Sequence, residues 1–188
     1  MEFVQPIRDK KQLEAMKKVL KAGNMRDYCM FTLGINSGLR ISDLLGLTIA
    51  DVMENGKVKD RITIREQKTG KSKDFPISDS ARKAINDYLK TRQNVSQSDA
   101  LFASRKGNGA ISRQQAWKII NDAAATVGIQ GDIGTHTMRK TFGYHAYQSG
   151  VDIALIQKLL NHSAPSVTLR YIGITQDDMD HVYISMNL

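Results

Sequence analysis

The 188-residue chain is long enough for one core-bearing domain, and its 41% apolar and 24% charged residues are ordinary for a globular protein. A single cysteine, Cys29, excludes internal disulfides, and the histidines at 136, 145, 162 and 181 lack zinc-finger spacing, so no structural metal is implied. No run of about eighteen apolar residues occurs, and the start "MEFVQPIRDKKQLEAM" is too polar for a secretory signal, so the sequence predicts a cytosolic protein with no membrane partner. The net charge of +8 is unevenly placed: residues 172–188 hold Asp177, Asp178 and Asp180 and no Lys or Arg, leaving +11 on the first 171 residues and −3 on the tail. The basic character belongs to the body and suggests a polyanionic partner.

In chain order, "KKQLEAMKKVLKA" has helical spacing at Leu13, Met16, Val19 and Leu20, and Gly23 ends it. "MRDYCMFTLGINSG" reads as a mostly buried helix broken at Ser37-Gly38, after which Ser42 is a cap for a short helix through "DLLGL", placing Arg40 at a junction between helices. From 57 to 77 the period becomes two, with Val58, Ile62 and Ile64 alternating with charges, "KTGK" making a turn, and Phe75 and Ile77 returning. Helical spacing resumes at "SARKAINDYLKTR", with Ala81, Ala84, Ile85, Tyr88 and Leu89 on one stripe, followed by the polar loop "QNVSQSD". "SRQQAWKIINDAAATVG" starts with a Ser112–Gln115 capping box and stops at Gly128. Further helices fit "THTMRKTFGYHAYQSG", "DIALIQKLLN" and "SAPSVTLRYIG", with Pro165 near the first turn of the last. In "TQDDMDHVYISMNL", Asp177 and Asp178 suit a helix start, and Met179, Val182, Tyr183 and Met186 make one apolar face that needs a partner. The expected fold is mainly α with a small antiparallel β-sheet, one domain over 1–188 with a tail helix in 172–188. Trp117, Tyr144 and Tyr147 are expected in the core.

The segment "HTMRKTFGYH" sets His136, Arg139 and Lys140 around one turn, where like charges repel unless an anion lies on that face. Two further segments share this chemistry: "SGLRISDLLGL" around Arg40 and "LLNHSAPSVTLRYI" from His162 to Tyr171. Together these three segments closely resemble the tyrosine recombinases, the phage-integrase family of site-specific recombinases. The family pattern is an arginine in G-L-R-x-S-E/D-L-L-x-L, an H-x-x-R pair, and L-G-H-S followed nine residues later by the nucleophilic tyrosine. Here Arg40 with Asp43, His136 with Arg139, and His162 with Tyr171 occur in that order, and "QKTGKSKDFPI" is similar to the family's hairpin, which puts Lys68 at the catalytic lysine. Asn161 replaces the usual glycine before His162, and Asp43 stands where glutamate is commoner. The resemblance spans about residues 10–180. It implies the tyrosine recombinase catalytic-domain fold without the N-terminal DNA-clamping domain, either as an excised catalytic fragment or as a short recombinase of the fimbrial phase-variation type.

The chemistry explains the residue types. Cutting a phosphodiester needs a nucleophile, charge stabilisation on the non-bridging oxygens and a proton for the departing 5′ oxygen. A tyrosine hydroxyl with a pKa near ~10 needs a base or a positive field to attack at neutral pH, and Arg40 and Arg139 supply that field. Each guanidinium also presents a planar fork to phosphate. The resemblance further implies that Lys68 protonates the leaving oxygen, that His162 hydrogen-bonds a non-bridging oxygen, that His136 assists proton transfer at the tyrosine, and that Asp43 is an orienting neighbour. The product is a 3′-phosphotyrosine, made without cofactor, metal or ATP; "GKS" at 70–72 is no P-loop, because Arg65 stands where that motif needs glycine. The implied partners are double-stranded DNA recombination sites and further copies of the chain, assembled as a tetramer on synapsed DNA. Lys71, Lys73, Arg113 and Lys140 are candidate DNA contacts, although ordinary surface cations look the same in sequence.

Each residue alone has a duller explanation: Arg40 can pair with Asp43, and a turn lysine or single histidine is usually structural. The conjunction favours a strand-transferase over a non-catalytic, sequence-specific DNA-binding or regulatory protein of the same fold. A helix-turn-helix regulator leaves Arg40 and the hairpin lysine unexplained. In a type IB topoisomerase, one expected histidine is commonly a lysine.

Overall fold

Side-chain caps start several of the helices in the computed structural model, which describes residues 4–105 and 109–186. The Asp9 side chain accepts from the Lys11 backbone N–H to start α1 (Lys10–Gly23), and the Asn24 side chain accepts from Arg26 N–H to start α2 (Met25–Ser37). α2 is central, buried along Cys29, Met30, Phe31 and Leu33 and packed against α1 and two later helices, α5 (Asp79–Leu89) and α7 (Thr137–Gln148). It ends at Gly38 with φ 60°, where a Cβ would meet the Phe142 ring at 2.5 Å, so both the left-handed turn and the close approach of α7 need glycine.

The following helix, α3 (Ile41–Leu45), starts two residues earlier than expected. Arg40, with extended backbone, is its N-cap residue and makes no side-chain cap bond, whereas Ser42 lies inside the helix. The guanidinium is thereby left for other partners. After α4 (Ile49–Val52), the expected single hairpin proves to be two short antiparallel ladders. Val58 belongs to the first, β1 (Met53–Glu54) with β2 (Lys57–Val58), closed by Asn55 and Gly56 at φ 50° and 76°. The second pairs β3 (Arg61–Arg65) with β4 (Ser72–Pro76) around the "QKTGK" turn.

Ser78 caps α5, and the Ser112 side chain accepts from Gln115 N–H to open α6 (Arg113–Val127), which Gly128 ends at φ 76°. α7 is followed by α8 (Ile153–Leu159), α9 (Pro165–Ile172) and α10 (Gln176–Met186). A large core spans α1 to α6 and the sheets. A smaller one, centred on Ile156, Leu160 and Ile172, joins α7, α8 and α9 and takes Tyr144 and Tyr147 half-buried against it. At Gly143 a Cβ would sit 2.7 Å from Ile172, so the crossing of α7 and α9 depends on a missing side chain. Residues near the N-terminus strap the two cores: Ile7 N–H donates to Thr141 Oγ1 at 2.9 Å, and Arg8 donates to Gly173 O.

The fold is the expected one, helical with small antiparallel sheets. Trp117 is a correction: it is 52% exposed on the outer side of α6, where Ala116, Ile120, Ala123 and Ala124 already fill the buried stripe. Met179, Tyr183 and Met186 of the expected apolar face of α10 are also exposed, together with Ile184, and Val182 lies outside the described side chains. Among the described residues no helix is long and apolar enough to cross a membrane.

Candidate active site

Four chain segments meet where the two cores join. Arg139, one turn into α7, is 2% exposed and donates from one Nη to Gly38 O at 2.6 Å and from the other to Leu160 O. It therefore clamps the end of α2 to the end of α8. Lys73 of β4 lies across the same two turns, its Nζ 3.4 Å from Ser37 O and 3.3 Å from Leu159 O. Tyr171, in the last turn of α9, places its hydroxyl 3.5 Å from His136 Nδ1. The His162 ring packs edge-on against the Tyr171 ring at 4.7 Å, and its Nδ1 is 3.1 Å from Thr168 Oγ1. Lys140 lies over the Tyr171 ring with Nζ 5.0 Å from the centroid.

The electrostatics are those of a site crowded with cations. Burial, reinforced by Arg139 and Arg40, pushes His162 down to about 4, and burial with Arg113, Arg139, Lys140 and Arg40 lowers His136 as well. Both imidazoles are neutral at pH 7. Burial together with the charges of Arg139 and Arg40 brings Lys73 down to about 8. Burial holds the Tyr171 hydroxyl above its ordinary value, against the opposing pull of Arg139 and Arg40. A phosphate here would supply the missing negative charge and raise every one of the depressed cations.

Arg40, His136, Arg139, His162 and Tyr171 are thus brought together. Lys68 is not: it is exposed at the tip of the β3–β4 turn, and among the described residues no hydrogen bond or ion pair holds its ammonium. Asp43 is buried but does not pair with Arg40; its Oδ1 accepts from Gln67 N–H at 2.9 Å and anchors the base of the turn. Among the candidate DNA contacts, Lys71 and Arg113 are exposed, whereas Lys140 is buried and Lys73 half-buried within the site.

Glu66 is the residue the sequence reading missed. Its side chain is 0% exposed, and Oε1 ion-pairs with Arg40 at 2.9 Å. Its Oε2 accepts from Thr69 Oγ1 at 2.7 Å and from Asn161 Nδ2 at 2.8 Å. A signal existed, because the period-two alternation that turns Ile62 and Ile64 inward turns Glu66 inward too, and a carboxylate on a buried face requires a cation. Among the described residues no three His, Cys, Asp or Glu side chains converge as a metal site.

The family model described as the phage integrase family matches residues 8–177. The probable integrase/recombinase YoeC of Bacillus subtilis is 45% identical over 183 residues, covering 97% of each chain. The type 1 fimbriae regulatory protein FimE of Escherichia coli K12 is 36% identical over 166 residues, covering 86% of this chain and 82% of its own. The crystal structure of XerA recombinase superposes with a TM-score of 0.77 at 22% identity over 98% of this chain and 64% of its own. A post-cleavage complex of XerH recombinase on its palindromic difH substrate gives 0.75 at 20% identity over all of this chain and 54% of its own. The chain therefore spans less than two thirds of the length of these two solved recombinases.

Proposed function

The chain belongs to the phage integrase family of tyrosine recombinases, and on that premise we propose that it cuts and rejoins DNA at specific sites, with Tyr171 as nucleophile and Arg40, His136, Arg139 and His162 around the scissile phosphate. The observation that carries this reading is the convergence on Tyr171: His136 3.5 Å from its hydroxyl, the His162 ring against its own, and the charges of Arg139 and Arg40 acting on it. In the attack, the bond from Tyr171 Oη to phosphorus forms, its proton passes to neutral His136, and the bond from phosphorus to the 5′ oxygen breaks. Two of the five N–H donors of Arg139 are committed to backbone carbonyls, which fixes the plane of its fork beside the Tyr171 hydroxyl and the phosphate it would attack. His162 donates to a non-bridging oxygen. Lys68, on its exposed turn, comes to the 5′ oxygen with the DNA and supplies the proton. The 3′-phosphotyrosine keeps the bond energy until another 5′ hydroxyl reverses the step.

Recombining two duplexes this way takes four copies of the chain. The exposed Met179, Tyr183, Ile184 and Met186 of α10 support an exchange of the tail helix between neighbouring copies. Truncation after Gly173 is expected to leave single-site DNA binding intact and to abolish cooperative assembly in gel-shift titrations. Equal assembly by the truncated chain rules the exchange out.

The decisive experiment uses a nicked duplex carrying the recombination site, on which cleavage traps the covalent intermediate. Peptide mapping is expected to place the adduct at Tyr171, and Tyr171→Phe to abolish it while binding DNA normally. An adduct that survives in the Phe variant assigns the nucleophile elsewhere.

A further inference from the structure

Glu66 does more than neutralise one arginine. Its backbone closes the turn that carries Lys68, with Glu66 N–H donating to Lys71 O at 2.9 Å and Gly70 N–H to Glu66 O at 2.8 Å. Its carboxylate then reaches inward and touches three separate segments: Arg40 ahead of α3, Thr69 in the turn itself, and Asn161 beside His162. Asn161 has φ 50°, a left-handed conformation that asparagine tolerates and glycine adopts freely. The departure from the usual glycine thus preserves the backbone and adds an amide, and that amide is spent on Glu66.

The geometry points to Glu66 as a positioning residue that sets Arg40 against the scissile phosphate and, through Asn161, locks the His162 turn to the lysine-bearing hairpin. This rests on the recombinase reading of Arg40 and Tyr171. The physical need is clear from the charges. Arg40 shares a buried site with Arg139 and Lys73, and like charges at that depth drive a flexible arginine outward unless a carboxylate fixes it. Burial pushes the Glu66 carboxyl up, yet hydrogen bonds from Thr69 and Arg40, the Arg40 charge and Asn161 together hold it below its ordinary value, so it is an anion at working pH.

Two substitutions separate the halves of the hub. Glu66→Gln can keep an oxygen toward Thr69 and Asn161 while turning an amide N–H₂ toward Arg40. Asn161→Gly keeps the left-handed turn and removes only the amide. Single-turnover adduct formation is measured at saturating nicked DNA, together with DNA affinity and thermal melting. Glu66→Gln is expected to slow adduct formation by roughly 10–100-fold, the scale typical of outer partners that orient a charged group. DNA affinity should hold within about threefold, because it is spread over many phosphate contacts. Asn161→Gly is expected to slow the reaction by a smaller factor, roughly 3–10-fold, and to multiply with Glu66→Gln, since the Gln oxygen still accepts from Asn161 and the two changes break different links. In an Arg40→Ala background Glu66→Gln should cost less than about twofold, because the group it positions is gone.

A Glu66→Gln variant that reacts at the wild-type rate overturns the inference, as does a loss that multiplies fully with that of Arg40→Ala. If Glu66→Gln does not fold, Asn161→Gly decides, and its reacting at the wild-type rate is equally fatal. A wild-type chain that forms no adduct at Tyr171 overturns the recombinase reading and this inference with it, a result distinct from all the others.

Discussion

The clamp around Arg139 and the turn around Lys68 are built in opposite ways. Arg139 is buried, with two of its N–H groups on backbone carbonyls from both cores. Lys68 is exposed at the tip of a hairpin, with its ammonium held by none of the described residues. On the proposed mechanism, the contrast follows from what each group does. Charge that builds on phosphate oxygens is stabilised best by dipoles already in place, since reorganising them during the reaction costs free energy. A proton donor is needed only once DNA is bound, and an exposed turn leaves the lysine free to follow the leaving oxygen. Glu66 and Asp43 tie the two regions together at the base of the turn, while none of the described residues holds the Lys68 side chain at its tip.

The hardest test of this contrast is Arg139→Ala. It removes two donors from the phosphate and leaves Gly38 O and Leu160 O without their partner, so cleavage should fall by roughly 10⁴-fold or more. Stability should drop by about 2–4 kcal/mol, because two carbonyls lose their bonds between the cores. Arg139→Lys should recover part of the stability and little of the rate, as an ammonium cannot reproduce the fork. Denaturant melts and single-turnover cleavage read the two effects separately, and a variant losing only one of them would show that clamp and catalyst are different features.

Lys68→Ala is expected to lower cleavage by roughly 10²-fold or more while leaving the melting transition unchanged. A 5′-bridging phosphorothiolate, whose sulfur departs without a proton, should restore most of that rate. Lys73→Ala should give a defect of similar size on both substrates, since Lys73 is fixed to the Ser37 and Leu159 carbonyls rather than free to follow the leaving group. Rescue of Lys73→Ala instead of Lys68→Ala would transfer the acid role to the buried lysine and erase the contrast.

The smallest effect is in pH. Lys73, at about 8 in the free protein, should rise when a phosphate arrives, so DNA binding takes up protons on the alkaline side and affinity falls as pH rises through 8. His162, at about 4 when free, should also rise, so affinity grows as pH falls from the neutral range toward 4. For folding alone the histidine works the other way. Its folded value lies below the unfolded one, so the free protein is destabilised as pH drops from about 6.5 toward 4. Titration calorimetry in buffers of different ionisation enthalpy measures the uptake, and none at pH 8 to 9 would mean that the phosphate does not approach Lys73.

Much of this was legible before any coordinates. The helix start at Ser112 is a side-chain cap, and the stops at Gly38 and Gly128 are left-handed glycines, all set by residues a few positions apart. The grouping of Arg40, His136, Arg139, His162 and Tyr171 was also foreseen, through the resemblance of three short segments. Periodicity misled at Trp117, because the face of a helix that lies inward depends on what packs against it and here the small side chains of Ala116, Ala123 and Ala124 allow the closer approach. It stayed silent on Lys140 and Lys73, whose burial comes from Tyr171 above one and two helix ends around the other.

By itself, then, the sequence determined what is local: where helices begin and end, which turns need glycine or asparagine, and which residue types bear the chemistry. The tertiary structure alone decided which charges meet. Arg40 pairs with Glu66 across 26 positions and not with nearby Asp43, Asn161 finds Glu66 across 95, and Arg139 reaches Gly38 across 101. Sequence spacing carries little information about such pairs, because their energies are set by burial and distance in the folded chain, and both come into being only when the two cores close around the site.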